Sequence, residues 1–394
     1  MKILYPFPEP LPMAKARTIQ VVRTVSALAG EGVEVVLAYV PVPGIDDIFG
    51  RYGLTGPPGV QLVPLSRGLP APLRGLGVHS NRLFFWRLSA MLRRMESDGR
   101  VPDAVLVRHL KLAHALLSAR PEMPLIYEAH ELFADGARAE KAASLAAMER
   151  QVLTGASAVV AITGGLAERL QQRYGSTRPM SVIPSATDLP AALPDKDWPN
   201  ARRHVAYAGN LYPWKGGQDL VASAAFLPGY QLTMVGGDAR RIGELQASVA
   251  PGGAEVRFLG HVDHAEALAQ LAHTCIAVLP NRAGSVSDFT SPLKLFEYMA
   301  YGCAIVASDL PVFREVLGSD EAAWFAPGDA RALAEAIRGL AEDPQRACNM
   351  GDRLRRKAAD YTWQARARRL IEVMATVAGD ARGHGPGRLG GQDH

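Results

Sequence analysis

Short apolar runs alternate with helical patterns along almost the whole chain. In the first half the runs are Ile3–Pro6, Val33–Val40, Gln61–Pro64, Ala104–Val107, Leu125–Glu128, Ala158–Ile162 and Ser181–Ile183. Helical spacing falls between them, at Thr18–Ala29, Asn81–Met95, Lys111–Ser118, Ala137–Leu153 and Gly165–Arg173. The runs are too short and too continuously apolar for half-exposed antiparallel strands. They read as parallel strands covered on both faces by helices. From Ser185 to Arg203 the pattern stops, because "SATDLPAALPDKDWPNARR" is rich in proline and charge and has no period. It then restarts with "HVAYAG", "YQLTMVGG", "EVRFLG", "CIAVLP", "CAIVAS" and "AAWFAP", interleaved with helical segments, and a long helical pattern follows from Pro344 to Val377.

The fold class expected is α/β: two doubly wound Rossmann-like domains facing across a cleft. The first domain is assigned to 1–188, the linker to 189–201 and the second domain to 202–361. Residues 379–394 are too rich in glycine to order. A chain of 394 residues is comfortable for two domains and too long for one ordinary one. With 48% hydrophobic and 21% charged residues it can build real cores, and a net charge of +4 says little about partners. Cys275, Cys303 and Cys348 are scattered, with no CxxC pair, which fits a reducing compartment. The opening "MKILYPFPEPLPMAKA" is a poor signal peptide and reads better as a first buried strand. No stretch approaches eighteen uninterrupted apolar residues, so no transmembrane helix is expected. The location expected is cytoplasmic.

In such sheets ligands bind outside the C-terminal ends of the strands, and the informative residues stand there. In "YAGNLYPWKGG" a strand ends at Gly209, Asn210 begins the turn, and Lys215 enters the next helix. Lys215 is either a loop lysine or a point charge for phosphate beside a helix N-terminus. The stretch is not a Walker A loop, and no GxGxxG follows the first strand, which disfavours a dinucleotide-dependent oxidoreductase. In "SPLKLFEYMAYGCAIVASD", Thr290 or Ser291 can cap a helix and Pro292 suits its first position. Lys294 and Glu297 share a face there, either as an ordinary ion pair or as part of a site. A carboxylate at 297 could take the two hydroxyls of a ribose, and the backbone N–H groups of Ser291, Pro292's successor Leu293 and their neighbours could take phosphate. "IYEAHELF" ends a strand with His130 between Glu128 and Glu131. His130 could move a proton, bond a sugar hydroxyl, or be structural; a metal ligand set is the rival, but the spacing is not HExxH. Gly236–Gly237 allows close backbone approach or is a plain turn. His261 or Val262 could lie near a base.

From Pro64 to Met95 the chain carries Arg67, Arg74, Arg82, Arg87, Arg93 and Arg94 and no acid. "NRLFFWRLSAMLRRM" mixes them with aromatics, as in a helix with one face in the core or one resting on an anionic membrane surface. Nothing resembles a zinc finger or an RNP strand, so no nucleic acid is expected.

Taken together, these stretches resemble the retaining, nucleotide-sugar-dependent glycosyltransferases of the group 1 or family 4 type, with the GT-B fold. "SPLKLFEYMAYGCAIVASD" carries most of the resemblance; "YAGNLYPWKG", "YEAHE", "FLGHV" and "AVLP" support it in order and spacing. The resemblance implies a nucleotide-diphosphate sugar as donor substrate, no bound cofactor and no metal. It implies donor-binding roles for Gly209, Asn210, Lys215, Gly236, Ser291, Pro292, Leu293, Lys294 and Glu297. His130, Lys215 and Glu297 would be the catalytic set: His130 lining the sugar site, Lys215 neutralising the leaving diphosphate, Glu297 holding the ribose. Lys15–Thr18 would sit on the acceptor side, and 362–378 would be a helix crossing back onto the first domain, beginning near Trp363. Asn210 stands where the family often has arginine, and Phe289 where it often has glutamate; Arg282 could restore some charge.

The implied reaction retains the anomeric configuration without an enzymic nucleophile. The leaving phosphate would take the acceptor's proton, and Asp46–Asp47 makes no convincing metal clamp. The acceptor is expected to bear a hydroxyl and to be a lipid-linked or polysaccharide glycan, which would bring peripheral contact with the inner face of the membrane. The rival readings are a catalytically degenerate scaffold on the same fold and a non-hydrolysing nucleotide-sugar epimerase.

Overall fold

The computed structural model describes residues 1–13, 15–68, 81–175, 180–284 and 287–383, with 380–383 described by backbone alone. The chain divides into two compact units. One comprises Met1–Ala161, Arg169–Ile183 and the chain from Ala367 on; the other comprises Ile162–Glu168 and Pro184–Arg366.

The first unit carries strands β1 (Lys2–Leu11), β2 (Glu34–Pro41), β3 (Val60–Pro64), β4 (Ala104–Val107), β5 (Leu125–Ala129), β6 (Ala158–Ala161) and β7 (Met180–Val182). Helices α1 (Ala16–Gly30), α2 (Asn81–Ser97), α3 (Leu110–Ala119), α4 (Ala139–Gly155) and α5 (Gly164–Tyr174) alternate with them. The strands form one sheet in the order β3-β2-β1-β4-β5-β6-β7, and every pairing is parallel. All of β4 and β5 is buried, which is why they read as unbroken apolar runs rather than alternating ones. Strand order reverses between β1 and β4, and a crevice is expected at such a switch point.

The second unit repeats the plan. After the short helix α6 (Trp198–Ala201) come β8 (His204–Ala208), α7 (Gly217–Ser223), β9 (Gln231–Val235), α8 (Ala239–Gln246), β10 (Glu255–Gly260), α9 (His264–Ala272) and β11 (Ile276–Leu279). Then follow α10 (Leu293–Ala300), β12 (Ala304–Ser308), α11 (Pro311–Arg314), β13 (Ala323–Phe325), α12 (Ala330–Glu342) and α13 (Pro344–Lys357); α14 (Trp363–Gly383) begins in this unit and from Ala367 on belongs to the first. The sheet order is β10-β9-β8-β11-β12-β13, again parallel throughout. The switch point lies between β8 and β11. The α/β expectation of two doubly wound parallel sheets therefore holds.

Two elements differ from the sequence pattern. β1 runs on through Pro6, Pro8 and Pro10 to Leu11, well past the expected Ile3–Pro6. It pairs with β2 along its length but with β4 only at Ile3 and Leu4. The prolines thus fall where one side of the strand has no ladder to break. The long C-terminal pattern is two helices, not one. They are separated by a tight turn at Ala358–Tyr361, and the Thr362 hydroxyl accepts from the Ala365 N–H and caps the second. That second helix continues to Gly383, into the stretch read as too glycine-rich to order; 384–394 lie outside the described residues, as does Arg74.

Candidate active site

At the C-terminal edge of the second sheet, glycines let successive loops close on one another. The Gly209 N–H donates to Val235 O (2.9 Å) and the Gly236 N–H to Gly260 O (2.7 Å). Gly236 has φ +105°, and a Cβ there would stand 2.5 Å from Gly209 O, so close approach, not merely a turn, requires glycine. At Gly216 (φ +72°) a Cβ would stand 1.6 Å from Pro280 O. The short 3-10 turn Pro213–Lys215 is thereby pressed against the end of β11. Lys215 Nζ lies 5.2 Å from the Trp214 ring centroid and 5.8 Å from that of Tyr212. Burial lowers its pKa below the ordinary lysine value.

The helix α10 supplies the other wall. Its apolar side chains Leu295, Phe296 and Met299 point into the core. Tyr298 is also buried, and its hydroxyl accepts from the Ala208 N–H (2.8 Å), completing the last bond of β8. Lys294 is only 6% exposed, and its Nζ has no hydrogen-bond partner among the described residues. That Nζ lies 4.1 Å from the Tyr207 ring centroid. The Tyr207 hydroxyl donates to Asn210 O (2.7 Å). Glu297 does not pair with Lys294; its Oε1 is 2.7 Å from His264 Nε2. The ordinary ion pair is therefore ruled out, because the helix turns Lys294 inward and leaves Glu297 to a histidine on α9.

Other expectations are corrected. Pro292, not Thr290 or Ser291, occupies the N-cap position of α10 and makes no side-chain cap bond, and Leu293 is the first helical residue. The Ser291 hydroxyl instead accepts from the Ser185 N–H (2.9 Å), and Ser291 O accepts from the Ser185 hydroxyl (2.7 Å). Arg282 is held by both oxygens of Asp219 (2.7 and 2.5 Å), so its charge is already matched. Its neighbour Asn281 is 1% exposed, with Oδ1 unpartnered among the described residues. Asn210 and His261 are exposed and Val262 is half-buried.

In the first unit, His130 follows β5. Arg108 Nη2 is 3.3 Å from its Nδ1, and Glu128 Oε1 is 2.5 Å from its Nε2. A guanidinium can only donate, so Nδ1 accepts and Nε2 carries the proton given to Glu128. Arg108 also reaches Gln20 Oε1 (3.0 Å). The loop beyond is fixed by buried Glu149, which accepts from the N–H groups of Phe133 (2.7 Å) and Ala134 (3.3 Å) and from the Tyr174 hydroxyl (2.5 Å). Burial and this carboxylate push the Tyr174 phenol well above its usual range. Lys15 occupies the N-cap position of α1. Among the described residues no three His, Cys, Asp or Glu side chains gather to hold a metal.

Sequence reasoning brought out Lys215, Lys294 and Glu297, but missed His264, Tyr207, Tyr298 and Arg108. The second histidine of "HVDHAE", at the start of a helix, is the one signal that pointed to His264.

Two family models match in series. Residues 18–186 match the glycosyl transferase 4-like domain, and 202–343 match the glycosyl transferases group 1 model. The chain belongs to the group 1 glycosyltransferases, with the GT-B fold. The chain is 31% identical over 207 residues to a phosphatidyl-myo-inositol mannosyltransferase of Mycolicibacterium smegmatis, covering 50% of this chain and 52% of that one. It is 30% identical over 198 residues to a glycogen synthase of Mycobacterium tuberculosis, covering 45% of each. The matches thus span about half the length of these relatives. Among solved structures, sucrose-phosphate synthase from Thermosynechococcus elongatus superposes with a TM-score of 0.75 at 20% identity, over 96% of this chain and 100% of that one. Anabaena HepE in complex with UDP gives 0.68 at 16% identity, over 95% and 100%. At those identities the likeness is one of fold.

Proposed function

We propose that the protein transfers a sugar from a nucleotide-diphosphate donor to a hydroxyl of an acceptor, with retention at the anomeric carbon. The observation that carries this is the edge of the second sheet. Two desolvated lysines, an uncapped helix N-terminus and an oriented carboxylate gather there around glycine-lined loops, in the segment that matches the group 1 model. Lys215 faces the diphosphate and stabilises the charge that builds on it as the sugar leaves. Preorganised electrostatics of this kind contributes several kcal/mol in sites where water is excluded. The backbone at Ser291–Leu293 takes a phosphate on the positive end of α10. Glu297, turned by His264, takes the ribose hydroxyls. His130, held in one tautomer by Arg108 and Glu128, is the group at the edge of the first sheet that we assign to the sugar. The departing phosphate accepts the acceptor's proton, so no further base is needed.

The test is thermal stabilisation by UDP-, GDP- and ADP-sugars. A ligand at about 100 times its Kd adds roughly 2.7 kcal/mol of apparent stability. One base should stabilise the wild type and do so less strongly in Lys215→Ala and Glu297→Ala. The product of the stabilising donor, read by NMR, should keep the donor's anomeric configuration. Binding without turnover would instead favour the scaffold reading, for which exposed Asn210 and the phenylalanine at 289 are the support. An altered donor with no transfer would favour the epimerase.

The acceptor is read as lipid-linked, with the protein cytoplasmic and resting on the inner face of the membrane. Helix α2 supports this: it buries Phe84, Leu88, Leu92 and Met95 and leaves Trp86 63% exposed, with Arg93 and Arg94 exposed as well. The mannosyltransferase relative, whose name specifies a phosphatidylinositol, points the same way. No helix among the described residues is long and apolar enough to cross a membrane. Flotation with anionic but not zwitterionic vesicles, weakened in Trp86→Ser, is the expected result; no flotation with either would remove the membrane from this reading.

A further inference from the structure

We propose that Lys294 meets the donor's diphosphate and takes up a proton from solvent as the donor binds. The inference rests on the second unit being the donor site and specifies how its charge is supplied. Lys294 is buried against Tyr207, and its Nζ finds no acceptor among the described residues. The face of the Tyr207 ring favours the ammonium, but burial without an acceptor outweighs it and makes the neutral amine the cheaper state. Two further features act in the same direction. Lys294 is the second residue of α10, whose positive end disfavours a cation. Lys215 acts on it as a like charge.

The groups that face Lys294 are few. Lys215 comes from the turn after β8, and Glu297 from the next turn of α10. The phenols Tyr207 and Tyr298 are held neutral by burial, and His264 from α9 lies on Glu297 rather than on the lysine. Burial, first, and then Lys215 lower the Lys294 pKa well below its ordinary value, while Glu297 raises it. A diphosphate at this edge reverses the balance. It brings two negative charges and several acceptor oxygens to a group that has none. The Lys294 side chain already lies beside the first diphosphate loop, with its Cδ 3.9 Å from where a Gly209 Cβ would be. The step is a protonation only: R–NH2 takes H⁺ from the buffer and becomes R–NH3⁺ paired with phosphate. No covalent bond to the donor is made or broken. The cation absent at Asn210 is thereby supplied from α10, and only when a ligand is present.

Calorimetric titration with the nucleotide sugar that stabilises the protein, in phosphate and in Tris at one neutral pH, reads the proton directly. Both phosphates of such a donor are diesters, so the ligand does not titrate near neutrality. The expected result is uptake of about one proton per donor bound, with affinity falling up to tenfold per unit rise in pH. Uptake should vanish in Lys294→Met and persist in Lys215→Met. Met fills a similar volume without a charge, and a melting curve checks that the variant folds. Should it not fold, the wild-type pH slope and Lys215→Met decide. Binding without uptake overturns the inference and leaves the donor site standing. Uptake that survives Lys294→Met, or disappears in Lys215→Met, assigns the proton elsewhere and also overturns it. No binding of any UDP-, GDP- or ADP-sugar overturns the donor-site reading itself, and this one with it.

Discussion

The two sheets share one strand order up to the sixth strand, yet their C-terminal edges differ in how their cations are matched. At the first edge the cations find partners: Arg108 bonds His130 and Gln20, His130 bonds Glu128, and Arg17 pairs with Glu9 at 2.8 Å, although His109 Nδ1 is buried there without a hydrogen bond among the described residues. At the second edge Lys294 Nζ and Asn281 Oδ1 are buried without partners among the described residues, and Lys215 is desolvated. Buried polar groups are normally satisfied. A buried lysine nitrogen without an acceptor is the rarer case, and among the described residues only the second edge shows it. The same topology thus supports matched cations at one edge and an unmatched buried lysine at the other. Function lies in the site and not in the fold.

The sharpest way to break this contrast is Lys215→Ala. It should lower kcat about 10²- to 10³-fold with little change in melting temperature; an unchanged kcat would mean that the second edge is not where charge develops. Glu297→Ala should come next, raising the donor KM by about 10- to 100-fold, the value of a hydrogen bond to a charged group. His264→Ala should move KM in the same direction and by less, since it only turns the carboxylate. Equal kcat losses in both would show that this pair acts in the reaction and not in binding.

Gly236→Ala tests whether the second edge depends on backbone contact. A side chain at that positive φ costs on the order of 1–3 kcal/mol, and the clash with Gly209 O adds to it. A fall in melting temperature of several degrees is expected, with donor affinity lost in step. At the first edge, Glu128→Leu should reduce activity about tenfold by leaving the His130 N–H without its acceptor. Glu128→Gln should do much less, because the amide oxygen still accepts. If Gln and Leu behave alike, charge rather than tautomer matters there. The smallest effect is expected from Trp86→Ser, which should leave stability within about 0.5 kcal/mol and alter only vesicle binding.

Much of this was legible in the residues. Unbroken apolar runs such as Ala104–Val107 appear only where both faces of a strand are covered, so local pattern alone identified two parallel α/β units. The double glycine at 236–237 and the lysine of "YPWKGG" marked loops at a sheet edge. The spacing of Lys294 and Glu297 placed them on one helix, and helical periodicity correctly gave them a shared face. What the spacing could not say is which neighbour each would meet. Lys294 turned toward Tyr207 on β8 and Glu297 toward His264 on α9, both distant in sequence, so the pair that propensity favours was never made. The capping serine was lost for the same reason: a long-range bond to Ser185 competed for its hydroxyl. Local sequence sets backbone periodicity because it depends on neighbours a few residues away. Which polar groups end up satisfied depends on contacts closed by the whole sheet, and only the tertiary structure decided that Lys294 would be left waiting.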